Sequence, residues 1–130
     1  MNKNKYLLMV SSIGVFILLA AAAVSENFLK DWHGIQKSAK TKEGPIDVRL
    51  RQIVNPNLKV TDRCVTCHVG MASGEQISTD LKVGAVHKPV VHNPTEIGCT
   101  VCHGGQGQAT EKDDAHGNVH FWTEPMLPAK

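Results

Sequence analysis

Cys64-Val65-Thr66-Cys67-His68 is matched in form by Cys99-Thr100-Val101-Cys102-His103, and these two segments contain all four cysteines of the chain. Two thiols three positions apart on a helical turn lie on the same face, so they can form thioether bonds to the two vinyl groups of one porphyrin. The adjacent histidine can then offer an imidazole nitrogen to the iron. This spacing is the pattern of covalent haem attachment, and it predicts two covalently bound haem c groups.

Other uses of paired cysteines explain these motifs less well. A zinc site could use two C-x-x-C pairs, but the gap from Cys67 to Cys99 exceeds the usual zinc-ribbon spacing. Zinc also does not require a histidine after each pair. Structural disulfides or a thioredoxin-like redox pair likewise leave the repeated histidine unexplained, and no βαβ pattern surrounds either motif.

The composition indicates a domain with few large apolar side chains of its own. The chain has 130 residues with three Phe, two Trp and one Tyr. So few aromatic residues make a thin core, and two buried porphyrins would supply the missing apolar surface. The net charge is +2 and the charges are interspersed, so nucleic acid is not an expected partner.

An apolar segment precedes the motifs. Residues 6–24 carry no charge, and as a helix they would be about 28 Å long, close to the roughly 30 Å hydrocarbon thickness of a bilayer. A cleaved signal peptide is the competing interpretation, because Lys3 and Lys5 precede the run and Ala20–Ala23 are small. The run is longer than a usual signal h-region, so we expect an uncleaved, single-pass anchor. Lysines on both sides leave its orientation undecided.

A helical stripe follows the anchor and predicts a stalk. The stripe recurs every three or four residues and predicts that the anchor helix continues until Gly44-Pro45. The predicted domains are therefore 1–44, anchor and stalk, and 45–130, a dihaem domain. The stripe could cover a neighbouring subunit or fold back on the haem domain. Its members are Val24, Phe28, Trp32, Ile35 and Ala39.

The expected fold class is mainly α with extensive loops. The alternation of Ile46, Val48 and Leu50 with charged residues predicts one short strand. Thr61 or Asp62 can then cap the turn that carries the first motif. Residues 70–91 have few periodic signals and predict a loop that wraps the haems.

Capping signals place two short helices around the second motif. Asn93-Pro94-Thr95-Glu96 predicts a helix start that delivers Cys99, Cys102 and His103. His92 directly precedes this cap, which is a rigidly placed position suited to an iron ligand. Thr110 can cap a helix over 111–116 that Gly117 stops, so His116 lies at a defined helix end.

Taken together, these segments resemble the haem-binding module of membrane-associated multihaem c-type cytochromes of bacterial respiratory chains. The likeness covers most of the chain after the anchor and rests on residues 51–53, 62–70, 92–94, 98–107, 115–116 and 122–127. The family receives its haem on the outer side of the bacterial membrane. The resemblance therefore implies a protein of the bacterial inner membrane with a cytoplasmic N-terminus and a periplasmic haem domain.

The resemblance also implies bis-histidine ligation of both haems. By position, His68 and His103 are the proximal ligands, and either His87 or His92, together with His116, supplies the distal ones. The chain has only two motifs and a lysine between His87 and Pro89, so the choice between His87 and His92 stays open. A third histidine could serve a haem in another chain. Less favoured ligands are His120, His33 and Met126.

These features predict an electron carrier rather than an enzyme. Irons with two protein ligands each have no open coordination position, so they exchange electrons without binding substrate. The expected role is a relay within a hetero-oligomer, between integral membrane respiratory subunits and other cytochromes, as part of a quinol-oxidising or other respiratory complex. The alternative is a haem enzyme, of the peroxidase or nitrogen-oxide reductase type, or a haem sensor, either of which needs one open iron.

Overall fold

The computed structural model describes residues 2–77 and 80–127. The chain forms two compact units, Met1–Lys30 and Asp31–Lys130. The first unit is a single helical segment, and the second contains both cysteine motifs.

Helix α1, Lys3–Val24, makes up most of the first unit. Asn2 caps it, because its side chain accepts a hydrogen bond from the backbone N–H of Asn4 at 3.3 Å. A π-helical turn, Ser25–Leu29, follows directly. No residue of α1 is buried, and its apolar side chains face outward on all sides. The N-terminal segment therefore forms a helix that is long enough and apolar enough to cross a membrane.

The predicted stalk helix is shorter than the sequence pattern suggested. Lys30 has extended backbone dihedrals, and helix α2 then runs over Asp31–Ser38 only. Strands β1, Lys40–Thr41, and β2, Gly44–Pro45, form a small antiparallel hairpin where the helix was expected to continue. The predicted helix up to Gly44 is thus wrong. The two compact units divide after Lys30, whereas the sequence placed the domain boundary after residue 44.

The hydrophobic stripe is divided between the two units. Val24 and Phe28 are exposed in the first unit. Trp32 and Ala39 are buried in the second unit, and Ile35 packs against its core. Helix α2 therefore belongs to the cysteine-containing domain.

The strand predicted at 46–50 does not form. The buried side chain of Gln36 occupies both backbone groups of Arg49, since it donates to the carbonyl at 2.9 Å and accepts from the N–H at 2.8 Å. Val48 and Leu50 are 40% and 45% exposed, so no buried strand face exists. Pairing occurs later instead, between β3, Ile53–Asn55, and β4, Val60–Asp62, which run antiparallel.

Five further short α-helices lie in the described part of the second unit, and the fold is mainly helical, as expected. One of them, Leu81–Gly84, lies within the predicted loop at 70–91, and another, Val69–Ser73, overlaps its start. The predicted start at Asn93 is confirmed, because its side chain accepts from the N–H of Thr95. The helices are α3, Val69–Ser73; α4, Leu81–Gly84; α5, Pro94–Ile97; α6, Thr100–His103; and α7, Lys112–Ala115.

The protein core of the second unit is small, as the composition predicted. Ala39, Val69 and Ile77 form its buried cluster, and Ile35 and Ile46 pack against them. The cluster adjoins the first motif through Val69, which follows His68 directly. This buried cluster therefore supports the segment that carries the first cysteine pair.

Candidate functional site

The first motif is fixed through its two middle residues. Cys64–Thr66 is a 3₁₀ turn, and the N–H of His68 donates to the carbonyl of Cys64 at 2.8 Å. Val65 and Thr66 are buried, whereas the two cysteines and the histidine are half-buried. The intervening residues thus anchor the turn in the protein, and the groups that would react with a porphyrin stay accessible.

Thr66 forms hydrogen bonds with two residues that are distant in sequence. Its hydroxyl donates to the carbonyl of Arg51 at 2.6 Å and accepts from the N–H of Arg51 at 2.9 Å. Its carbonyl accepts from the side chain of Gln36 at 2.9 Å. These polar groups are buried and satisfied, so the turn has one defined position in the domain.

The second motif lies on helix α6. The helix predicted from Asn93 does not continue into the second motif, because α5 ends at Ile97 and Gly98 has a φ of 90°. A new turn then begins at Cys99, and the N–H of His103 donates to the carbonyl of Cys99 at 3.0 Å. Both motifs therefore place their cysteines and histidine on one tight turn, as the spacing predicted.

Asp62 acts at the second motif rather than the first. Its carboxylate accepts from the backbone N–H groups of Cys99 and Thr100, at 2.6 and 2.8 Å, and from the Thr100 hydroxyl at 2.9 Å. The turn at Cys64 has no side-chain cap. The predicted cap of the first motif by Thr61 or Asp62 is thus wrong, and Asp62 caps a helix 37 residues later in the chain.

The two motifs touch at their first cysteines. The Sγ atoms of Cys64 and Cys99 and a carboxylate oxygen of Asp62 lie within 4.8 Å of one another. The hydrogen bond with Cys99, followed by burial, raises the pKa of the Cys64 thiol. Burial also raises the pKa of the Cys67 thiol. The sequence did not predict this proximity, because 35 positions separate the two cysteines.

His68 lies opposite His116, a histidine outside the motifs. Their ring centroids are 6.3 Å apart and the rings are tilted by 33°. His116 follows helix α7, and its carbonyl accepts from the N–H of Met126 at 2.8 Å. Gly117, with a φ of 70°, turns the chain after it as predicted, although Thr110 does not cap α7.

His103 lies opposite His87 at the same separation. Their ring centroids are 6.3 Å apart and the rings are inclined by 71°. The Nδ1 atom of His87 lies 2.6 Å from the carbonyl oxygen of Lys88. Because a carbonyl only accepts, this contact selects the Nδ1–H tautomer of the neutral ring, in which Nε2 is the nitrogen that can bind a metal.

The spacing of both pairs fits a metal ion between two imidazoles. A metal–imidazole bond is about 2 Å, and a ring nitrogen lies about 1.1 Å from the centre of a ring with bonds near 1.33 Å. Two imidazoles bound to one ion from opposite sides therefore have centroids about 6 Å apart. Each observed pair combines a motif histidine with one histidine from outside the motifs, so the residues present fit two bis-histidine haem groups.

The electrostatics at His68 favour its metal-binding form. Burial lowers the pKa of His68, and the neighbouring imidazole of His116 lowers it further. A hydrogen bond to the backbone of Lys82 acts in the opposite direction and orients the ring. A neutral imidazole is the state that a metal requires.

The other candidate ligands lie elsewhere. His92 and His120 are exposed, and His120 packs edge-on against Phe121. His33 stacks on Trp32, with ring centroids 3.6 Å apart. The Nε2 atom of His33 is buried and, among the described residues, has no hydrogen-bond partner. None of these three histidines forms a described ring pair with His68 or His103.

The sequence did not predict the roles of three residues that build the site. Gln36 and Thr66 hold the first motif, and Asp62 holds the second. The sequence offers one signal for them, since polar residues that the fold buries require partners, but it does not show which partners they find.

Known proteins give no further guide to this arrangement. Comparison of the chain with protein-family models, curated proteins and solved structures finds no match.

Proposed function

We propose that this chain is a membrane-anchored dihaem cytochrome c that relays electrons. The observation that carries the proposal is the pairing of each motif histidine with one outside histidine at 6.3 Å. In this function Cys64, Cys67, Cys99 and Cys102 attach two haem c groups, which supply reversible one-electron chemistry when bound.

The histidine pairs support one choice of iron ligands. His68 and His116 serve the first haem, and His103 and His87 serve the second. With two protein ligands at each iron, no position is open to a substrate, so this arrangement favours a relay over a peroxidase, a nitrogen-oxide reductase or a sensor.

Covalent haem content tests the proposal. The chain is produced in a bacterial host that attaches haem c, and its intact mass is measured. We expect the mass of the polypeptide plus two haems, and the loss of one haem when Cys64 and Cys67, or Cys99 and Cys102, are both changed to Ser. The control His120→Ala should keep both haems. A chain that carries no covalent haem in such a host contradicts the proposal.

The cellular setting completes the proposal. The apolar helix α1 anchors the chain in the bacterial inner membrane, with the N-terminus in the cytoplasm and the haem domain in the periplasm, in keeping with the resemblance to multihaem cytochromes. A single span offers little room for a quinone pocket, so integral membrane respiratory subunits and other cytochromes are the proposed partners. Gentle detergent extraction should release a complex larger than one chain, and recovery of only monomer would contradict the assembly.

A further inference from the structure

Asp62 is a buried carboxylate that links the two cysteine motifs. Its side chain is 2% exposed. In the chain it precedes Cys64 by two positions, whereas its carboxylate accepts hydrogen bonds from the second motif, from Cys99 and Thr100. A helix start is usually capped by a residue next to it in sequence. Here the N-cap residue is Cys99, whose side chain makes no capping hydrogen bond.

Two glycines make room for this carboxylate. A Cβ atom at Gly98 would lie 2.7 Å from Oδ2 of Asp62, and a Cβ atom at Gly107 would overlap Oδ1. Both glycines flank the second motif, one on each side. The carboxylate is therefore enclosed by backbone on both sides of the turn that it caps.

Arg63 strengthens the same connection. Its backbone N–H donates to the carbonyl of Gly107 at 2.6 Å, and its guanidinium donates to the carbonyl of Gln108 at 3.0 Å. Asp62 and Arg63 thus hold the beginning of the second motif and the segment after it. Asp62 and Arg63 directly precede Cys64. Any movement of the second motif relative to these two residues therefore changes the distance between the two motifs.

We propose that Asp62 is a positioning residue that fixes the spacing between the two haem attachment motifs, and thereby the electronic coupling of the two haems. The inference rests on the proposed function. The Asp62 carboxylate accepts from three donors at the first turn of helix α6 and so fixes the position of that turn. The proximity of Cys64 and Cys99 shows that this turn lies beside the first motif.

The test compares Asp62→Asn with two other variants of the full-length, haem-loaded protein in its membrane. Asp62→Asn keeps the shape but replaces one acceptor oxygen by a donor that faces other donors. Thr100→Val removes only the hydroxyl donor and keeps the charge. Asp47→Asn is the control, because Asp47 is an exposed carboxylate that pairs with Arg49 and Arg51. Haem content, the spin–spin interaction of the oxidised haems and their redox titration are measured.

The wild-type protein is expected to show interacting haems. Asp62→Asn should lose this interaction while keeping two haems, or should lose the haem of Cys99 and Cys102 alone. Thr100→Val should weaken the interaction in the same direction, and Asp47→Asn should leave it unchanged. If the Asp62→Asn protein fails to accumulate, the haem–haem interaction of Thr100→Val decides whether the inference holds.

Two results would overturn the inference while leaving the proposed function intact. One is a wild-type protein with two haems that do not interact. The other is a Thr100→Val protein whose haem–haem interaction and redox titration match those of the wild type. Any Asp62→Asn protein that accumulates with both haems would then also have to show the wild-type interaction. A wild-type chain without covalent haem would instead contradict the proposed function itself.

Discussion

At the residue scale, His87 lies beside His103 whereas His92 is exposed, although both precede the second motif. The N-cap at Asn93 fixes the backbone next to His92, but a fixed backbone does not by itself direct a side chain toward the site. His87 lies in the segment after helix α4, and the contact of its Nδ1 with the carbonyl of Lys88 orients its ring.

Removal of His87 should therefore open one iron. His87→Ala is expected to convert one of two low-spin haem signals into a high-spin signal, because the second iron loses its distal ligand. The matched variant His92→Ala should keep both low-spin signals. Electron paramagnetic resonance of the oxidised proteins checks this, and the reverse pattern would assign the distal position to His92.

At the element scale, the local capping signal was correct at Asn93 and wrong at Thr110, and contacts between distant segments were missed. Asn93-Pro94 caps its helix as expected, because a cap involves only neighbouring residues. The alternation at 46–50 is equally regular, but Gln36, 13 residues earlier, takes both backbone groups of Arg49. The cap of α6 by Asp62 also spans a long stretch of sequence. Both failures concern partners that no local pattern identifies.

Helix α2 is expected to depend on the Gln36 side chain for its attachment to the first motif. Gln36→Leu removes hydrogen bonds to the buried carbonyl of Thr66 and to the carbonyl and N–H of Arg49. This loss should lower the free energy of unfolding by about 2 to 4 kcal/mol. Gln52→Leu is the control, since Gln52 is exposed and makes one long contact, 3.4 Å to Arg63; it should change the free energy by less than about 0.5 kcal/mol. Denaturant unfolding of the two variants measures the difference, and equal effects would contradict the role of Gln36.

Helices α3 and α4 approach each other too closely for any side chain at Gly70. A Cβ atom there would overlap the backbone carbonyl of Gly84 and lie 2.7 Å from that of Ala85. Gly70→Ala should therefore destabilise the domain by about 1 to 3 kcal/mol and weaken binding of the haem at His68, two residues away.

Gly34 provides the matched control for this crowding. It lies in helix α2, and nothing stands within 4 Å of a Cβ atom there. Gly34→Ala should stabilise the helix by about 0.5 to 1 kcal/mol. Thermal unfolding and haem content of both variants are compared, and a Gly70→Ala protein as stable as Gly34→Ala would contradict the close approach.

At the scale of the whole molecule, the anchor and the motif-bearing domain are separate compact units. Charge and apolar length in the sequence were sufficient to predict a helix long and apolar enough to cross a membrane, because such a helix requires only a continuous apolar run. The domain boundary at Lys30 was not predictable, since it depends on which residues of the stripe find partners after folding.

This division predicts that residues 31–130 function without the anchor. Exported behind a cleavable signal, this fragment should be recovered from the soluble periplasmic fraction with two haems and with the low-spin spectrum of the full-length chain. The full-length chain should remain in the membrane fraction. If the fragment is haem-free or aggregated while the full-length chain carries both haems, the domain needs residues 1–30.

The central claim is that four histidines form two bis-histidine pairs, and the electron paramagnetic resonance spectrum of the oxidised full-length protein tests it most directly. Imidazole planes close to perpendicular give a low-spin signal with a larger highest g value than planes closer to parallel. With planes at 33° and 71°, we expect two distinguishable low-spin signals, and the one with the larger g value should disappear in His87→Ala. A high-spin signal equal to one haem in the intact wild-type protein would contradict it.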